Sequence, residues 1–151
     1  FENATDLSNV HVYNNTHYYG KGQPVIMGPN LHRTPIETVF NNNIFYAVNP
    51  GSMGVNAENG ANMVYDTNVY YNITPPASEA DARTEDPLFV DPGQEPHDID
   101  MENGRDVLSG YRLSTQSPYL EGGKAIEDNG GADFWGDPVP AGDTSFGAGT
   151  E

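Results

Sequence analysis

Hydrophobic and polar positions repeat three times along the first half of the chain. Each copy reads a β-branched residue, an aromatic residue, two or three small polar residues, and then a stretch that ends in two aromatic residues. The copies occupy 12–19, 39–46 and 64–71, with offsets of 27 and 25 residues. β-Branched and aromatic residues favour strands, whereas Asn and Asp favour corners, so each copy predicts two short strands joined by a corner. A repeat of this period is typical of stacked solenoid coils.

Each repeat also contains a shorter apolar stretch that we interpret as a third strand. In the first repeat this stretch is 24–27, bounded by Gly and Pro residues, and in the second it is 52–56. Three strands per coil, stacked coil on coil, predict an all-β fold, a parallel β-helix in which equivalent strands pair in parallel. We assign 1–74 to these coils and 75–151 to final strands and a loop-rich C-terminal cap of the same domain. Within 75–151 we expect an acidic surface loop up to residue 84 and short strands at 86–92 and 110–113. The residues expected to lie across the open end of the coil as its cap are Leu88, Phe89, Leu113, Phe134 and Trp135.

One polar column of the aligned repeats is predicted to form a ladder of buried side chains at the corner: Asn14, Asn41 and Asp66. Asn tolerates the left-handed backbone of a corner, and its amide can bond to the equivalent residue of the next coil. Asp66 is expected to end the ladder, and a catalytic role for its carboxylate is the alternative. The valine two positions earlier in each copy is predicted to be core, and either of two aromatic columns can face inward.

Charge and composition exclude several classes of partner. Six basic residues stand against 22 acidic ones, for a formal charge of −16, so neither a nucleic-acid groove nor attraction to an anionic membrane is expected. The sequence contains no cysteine, which excludes disulfides and thiolate metal sites. The chain begins at Phe1 without a capping pattern. We therefore expect a C-terminal portion of a longer protein, whose upstream coils are lost, cleaved away or carried on a separate chain.

The order of the motifs resembles secreted right-handed parallel β-helix proteins of the pectate-lyase-like superfamily. The resemblance implies a right-handed solenoid, a secreted, extracellular or periplasmic location, and a polysaccharide or oligosaccharide as partner. That superfamily includes polysaccharide lyases, glycoside hydrolases and non-catalytic modules, so the resemblance does not fix a reaction. The segments that carry it are 40–46, 66–72, 86–92, 110–118 and 133–138.

In relatives of this kind the glycan groove follows one sheet and its flanking loops, which the resemblance places beside 24–27 and 52–56. Lyases use Lys or Arg as a base and neutralise the uronate carboxylate with a cation. The alternative is a surface loop whose cationic side chains bond to backbone carbonyls. The candidate catalytic residues are Lys21, His32 and Arg33. The candidate substrate-binding residues are Asn30, Asn56 and Glu58.

Other chemistry has weaker support in the sequence. A hydrolase needs two carboxylates, for which Glu37 and Glu58 are candidates and the upstream coils an alternative source. An acidic run has the chemistry of Ca²⁺ ligands but fits an EF-hand loop only loosely, and a solvated loop is the alternative. The sequence assigns no cofactor with certainty, and Ca²⁺ is the candidate. The run comprises Asp98, Asp100, Glu102, Asn103 and Asp106.

Together these patterns predict the C-terminal β-helix segment of a secreted polysaccharide-degrading enzyme, either a glycoside hydrolase or a polysaccharide lyase. The segment would complete the core and line one end of a glycan groove, and alone it is expected to lack the complete active site. One alternative is a non-catalytic glycan-binding or adhesive module, in which exposed tyrosines stack on sugar rings. The other is a purely structural cap.

Overall fold

Two parallel sheets, each with one strand from every repeat, form the framework of the molecule. The computed structural model describes residues 8–20, 36–52, 63–93, 102–140, 142 and 144–150. Their strands are β1 (Ser8–Tyr13), β2 (Thr16–Tyr19), β3 (Ile36–Asn41), β4 (Ile44–Ser52), β5 (Met63–Asp66) and β6 (Val69–Thr74). One sheet has the order β1-β3-β5 and the other β2-β4-β6, and all four strand pairings are parallel. Among these residues, helical structure is limited to α1 (Gly104–Val107) and a 3-10 turn (Ser109–Tyr111).

A single residue in left-handed conformation turns the chain from one sheet into the other. Asn14, Asn42 and Thr67 occupy this position in the three repeats, with φ of 52°, 54° and 65°. Asn enters this region at low cost because its short side chain can bond to nearby backbone groups. The two strands of each repeat therefore belong to different sheets.

The predicted closed β-helix is wrong. The described residues form two open sheets of three strands, two strands per repeat, and not a closed coil with three strands per turn. The predicted third strand at 24–27 lies outside the described residues, and of 52–56 only Ser52 is described, where it ends β4. Each octet, bent at its corner, supplies one strand to each of the two sheets, and the described residues contain no third strand that would join these sheets into a coil.

The register of the first repeat differs from the predicted one by a residue. Val12 pairs with Phe40 and not with Val39, an offset of 28, whereas the second and third repeats align at the predicted 25. Phe40 is buried and Val64 is 43% exposed, so the predicted valine core is wrong for the second and third repeats. Side chains alternate between the faces of a strand, so an error of one residue exchanges the two faces.

The inner core consists of aromatic residues stacked in columns between the two sheets. Phe40 stacks on Tyr65 at 4.8 Å, and Phe45 stacks on Tyr70 at 5.1 Å. The column continues to His17, whose ring lies 4.8 Å from that of Phe45. Each such pair contributes about 0.5–1.5 kcal/mol beyond the area it buries. The inward aromatic column is thus His17, Phe45 and Tyr70.

The C-terminal half covers the outer face of the second sheet, and its first segment continues the stack past the third repeat, where Arg83 forms a parallel bridge with Val69. Ile44 and Val69 on this face are fully buried beneath the residues that follow Thr74. Of the predicted cap residues, Phe89 and Leu113 join this cluster, whereas Leu88 and Phe134 are 41% and 45% exposed. The cluster comprises Ile44, Val69, Phe89, Leu113, Tyr119 and Phe146.

The strands predicted at 86–92 and 110–113 are single bridges. Phe89 bridges Leu113 in antiparallel fashion, and Leu113 bridges Thr150 in parallel fashion. Pro87 and Pro92 lack the N–H groups that a longer ladder needs.

Within the described ranges, no helix is long and apolar enough to cross a bilayer.

We expect His17 to make the stability of the protein depend on pH. Burial lowers the pKa of its imidazole from 6.5, and its Nε2 is buried without a partner in the described structure. His17 therefore takes up its proton at a higher pH in the unfolded chain than in the folded protein. Its contribution to the free energy of unfolding is fully present above pH 6.5 and is lost as the pH falls below that value. His17→Phe keeps the stack on Phe45 and should remove this loss, which urea unfolding at about pH 5 and pH 8 would measure. An equal loss in parent and variant would contradict the assignment.

Candidate functional site

A continuous ladder of amide side chains runs through the corner, one residue after the left-handed position. Asn15 Nδ2 donates to Asn43 Oδ1 at 3.0 Å, and Asn43 Nδ2 donates to Asn68 Oδ1 at 2.9 Å. The same two oxygens accept the backbone N–H groups of Asn15 and Asn43. Asn43 and Asn68 are fully buried and Asn15 is exposed. The ladder therefore fixes how one repeat sits on the next.

A buried carboxylate ends the ladder at the third repeat. Glu79 Oε1 accepts the backbone N–H and the side-chain amide of Asn68, at 2.6 and 3.1 Å. Its Oε2 accepts the hydroxyl of Tyr70 at 2.5 Å. Burial, followed by the bond to Glu79, raises the pKa of Tyr70, so its hydroxyl remains protonated and donates. Glu79 belongs to a segment whose acidic sequence predicts a surface loop, so the burial of its carboxylate was not predicted.

The three residues predicted to form the ladder lie in other places. Asn41 Nδ2 donates to the backbone carbonyl of Asp66 at 3.0 Å. Asp66 pairs with Lys124 and accepts the hydroxyl of Thr67 at 2.9 Å, and the bond from Lys124 is the main cause that lowers its pKa. Asn14 is the left-handed corner residue. The amide ladder exists, but in the column of Asn15.

The predicted catalytic and substrate-binding residues lie outside the described residues. This holds for Lys21, His32 and Arg33, for Asn30, and for Asn56 and Glu58. The site predicted from them therefore stays a prediction. The backbone of Glu37 belongs to β3.

An aromatic pocket of about 560 Å³ lies between the first repeat and the C-terminal segment. Its volume is within the range of small-molecule sites, about 300–1,000 Å³. Its walls combine aromatic rings with a few amide, hydroxyl and carboxylate groups. The aromatic residues are Tyr13, Tyr18, Tyr111, Phe134 and Trp135. The polar residues are Asn14, Asn15, Thr16, Asn129, Asp133 and Ser145.

The rings of Trp135 and Tyr18 are fixed by contacts with neighbouring residues, whereas the ring of Phe134 is exposed to solvent. The indole N–H of Trp135 donates to the carbonyl of Arg105 at 2.9 Å, and the guanidinium of Arg112 lies 4.8 Å from the indole ring. Tyr18 stacks on Tyr46 at 5.1 Å. Phe134 stands edge-on to Trp135 and is 45% exposed, so its ring is available for a ligand.

A carboxylate shapes the loop that carries these rings. Asp133 Oδ1 accepts the backbone N–H groups of Trp135, Gly136 and Asp137 at 2.8–2.9 Å. Gly149 packs so closely that a Cβ there would lie 2.2 Å from Asp133 Oδ2 and 2.8 Å from Trp135. The wall of the pocket is therefore built from two segments in direct contact, 133–137 and the residues around 149.

Each described Lys or Arg side chain is engaged with a protein partner, and none of them lines the pocket. Arg112 pairs with Asp137 at 2.6 Å, and Arg105 donates to the carbonyl of Trp135 at 3.3 Å. Arg83 lies over the ring of Phe146, and Lys124 pairs with Asp66. Among the described lining residues, Asp133 is the one with a formal charge at neutral pH. Burial and then Tyr111 raise the pKa of Tyr18, which therefore stays neutral.

The acidic run does not form a metal site within its described part. Glu102, Asn103 and Asp106 are described, whereas Asp98 and Asp100 are not. In the described part of the chain, no group of three or more His, Cys, Asp or Glu residues is arranged to hold a metal ion. Binding of Ca²⁺ by the full run stays a prediction.

Two aromatic residues of the pocket, Phe134 and Trp135, were singled out in the sequence, but as residues of the cap and not of a binding site.

No protein-family model matches the sequence, and no curated protein matches it. The residues of the pocket are therefore the basis for the proposed function.

Proposed function

We propose that the chain binds a glycan in the aromatic pocket. The observation that carries the proposal is a cavity of about 560 Å³ whose walls alternate aromatic rings with amide, hydroxyl and carboxylate groups. A sugar ring offers C–H faces to an aromatic ring and hydroxyl groups to polar atoms at its edge, so such walls match both of its surfaces. The exposed ring of Phe134 is the surface best placed to stack.

We further propose that this binding serves a secreted polysaccharide-degrading protein. The support is the sequence resemblance, together with an acidic chain that has few lysines and no cysteine. Catalysis would rest on Lys21, His32 and Arg33. The described lining residues contain one carboxylate, Asp133, and a glycoside hydrolase ordinarily uses two.

A glycan panel separates the alternatives. Neutral and uronate polysaccharides are incubated with the chain, and both binding and products are scored. New reducing ends alone indicate hydrolysis, unsaturated uronates indicate elimination, and binding without products supports a glycan-binding module. If no glycan binds and none is cleaved, the proposal is wrong and a structural role is favoured.

Phe134→Ala is expected to weaken glycan binding roughly 2- to 10-fold, because an aromatic contact contributes about 0.5–1.5 kcal/mol. Isothermal titration calorimetry with the best ligand of the panel would measure the change. Tyr71→Ala is the matched control, since Tyr71 is a half-exposed aromatic residue that does not line the pocket. A loss with Tyr71→Ala but not with Phe134→Ala would move the binding surface to the tyrosine column on the second sheet.

A further inference from the structure

We infer that the aromatic pocket selects neutral sugar residues over uronates, and that Asn14 accepts a hydrogen bond from a hydroxyl group of the bound sugar. This inference rests on the proposed function and names the substrate class of the same site. It differs from the lyase chemistry expected from the sequence, which requires a uronate.

The charge of the pocket argues against an anionic ligand. Asp133 is its charged described residue, and the Lys and Arg residues of the described chain are engaged with other partners. A uronate carboxylate would enter beside Asp133, in a chain of formal charge −16, and the described lining residues include no Lys or Arg to bind it. A neutral sugar avoids this repulsion.

Comparison of two repeats identifies the polar contact. Asn42 is the corner residue of the second repeat, and the C-terminal segment satisfies its amide: Oδ1 accepts the N–H of Lys124 at 2.7 Å, and Nδ2 donates to the carbonyl of Lys124 at 2.8 Å. Asn14 is the equivalent residue of the first repeat, with nearly the same φ, and it lines the pocket. Its Oδ1 is buried and has no partner in the described structure.

In the described structure, no neighbour of Asn14 donates to this oxygen. Thr16 Oγ1 accepts the N–H of Ala148 at 3.1 Å, and Asn15 Nδ2 donates to Tyr13 and Asn43. A buried acceptor without a donor is costly, and a ligand hydroxyl is a donor of suitable size and charge. The bound sugar would thus take the place at Asn14 that the C-terminal segment occupies at Asn42.

The charge preference is tested with tetrasaccharides of neutral sugars (glucose, mannose, xylose) and of uronic acids (galacturonate, mannuronate). We expect the best neutral probe to bind at least roughly tenfold more tightly than any uronate, with a gap that narrows as salt rises. Asp133→Asn keeps the Oδ1 acceptor and should raise the affinity for uronate probes relative to the affinity for neutral probes. Uronate binding that equals neutral binding and is lost in Phe134→Ala would overturn the inference and leave glycan binding intact. Failure of every probe to bind would overturn both.

The contact to Asn14 is tested with Asn14→Gly, which removes the amide and accepts the left-handed backbone. Neutral-probe affinity should fall roughly 2- to 10-fold, the effect of one lost hydrogen bond. Asn9→Gly is the matched control, because Asn9 is exposed, has φ of 56° and does not line the pocket. Equal affinities of Asn14→Gly, Asn9→Gly and the parent would overturn the contact.

Discussion

Replacing Asn43 by alanine is expected to lower the free energy of unfolding by about 3–5 kcal/mol. Its fully buried amide accepts the N–H and Nδ2 of Asn15 and donates to Val12 O and Asn68 Oδ1. Truncation leaves several of these groups buried without partners, and each costs about 1–3 kcal/mol. Small domains have a total stability of about 5–15 kcal/mol, so the loss is a large fraction. Urea unfolding followed by the fluorescence of Trp135 would measure it.

Two further variants distinguish the loss of ladder hydrogen bonds from the general effect of replacing any Asn by alanine. Asn15→Ala removes the exposed end of the ladder and should cost about 1 kcal/mol, the contribution of an ordinary hydrogen bond. Asn49→Ala changes an exposed residue of β4 and should stay within about 0.5 kcal/mol of the parent. Equal costs at Asn43 and Asn49 would mean that the ladder does not hold the repeats together.

The sequence was sufficient to predict the parallel stacking of the repeats, because their local pattern decides it. Alternating aromatic and β-branched residues on both sides of an Asn corner specify two strands and a turn, and those strands pair in parallel as expected. Closure into a coil was not predictable in this way. It depends on segments between the octets, where Gly, Pro and Asn are compatible with a strand, a turn or a loop.

The face of each strand could not be assigned because the first repeat is one residue longer than its pattern suggests. Aligning Val12 with Val39 maximises similarity, whereas hydrogen bonding aligns Val12 with Phe40. The observed ladder lies one residue after Asn14 in the first repeat but two residues after Asn41 and Asp66 in the other two. In the run Asn41, Asn42 and Asn43 every residue suits a corner and all three are buried, so neither residue type nor burial identifies the one that joins the ladder.

The pocket was beyond sequence reasoning because its walls come from distant parts of the chain. Tyr13 and Asn14 belong to the first repeat, whereas Phe134 and Trp135 are more than a hundred residues away. Their meeting depends on a C-terminal segment that covers the second sheet, held by bonds such as that from the N–H of Gly147 to the carbonyl of Asn42. No periodicity predicts contacts of this kind.

Replacing Glu79 by alanine is expected to cost about 3–5 kcal/mol in free energy of unfolding. Its carboxylate is the acceptor for three buried donors, two on Asn68 and the hydroxyl of Tyr70. The removal of a buried charged acceptor leaves the N–H of Asn68 and the hydroxyl of Tyr70 without this partner, while Asn68 Nδ2 keeps its bond to the carbonyl of Phe40. The cost is therefore larger than that of losing a solvated carboxylate. Urea unfolding near neutral pH would measure the difference, with Glu127→Ala, an exposed carboxylate, as the surface control.

Glu79→Gln distinguishes the geometry of the ladder end from its charge. The amide oxygen of Gln can still accept both donors of Asn68, and its nitrogen can donate to the hydroxyl of Tyr70, which then acts as acceptor. We therefore expect a loss of only about 1 kcal/mol, the usual contribution of one hydrogen bond. A loss as large as that of Glu79→Ala would show that the carboxylate is needed. Asn68 and Tyr70 would then each require an oxygen that accepts, and Gln offers only one such oxygen. Losses in both variants no larger than that of Glu127→Ala would contradict the role of Glu79 as the end of the ladder.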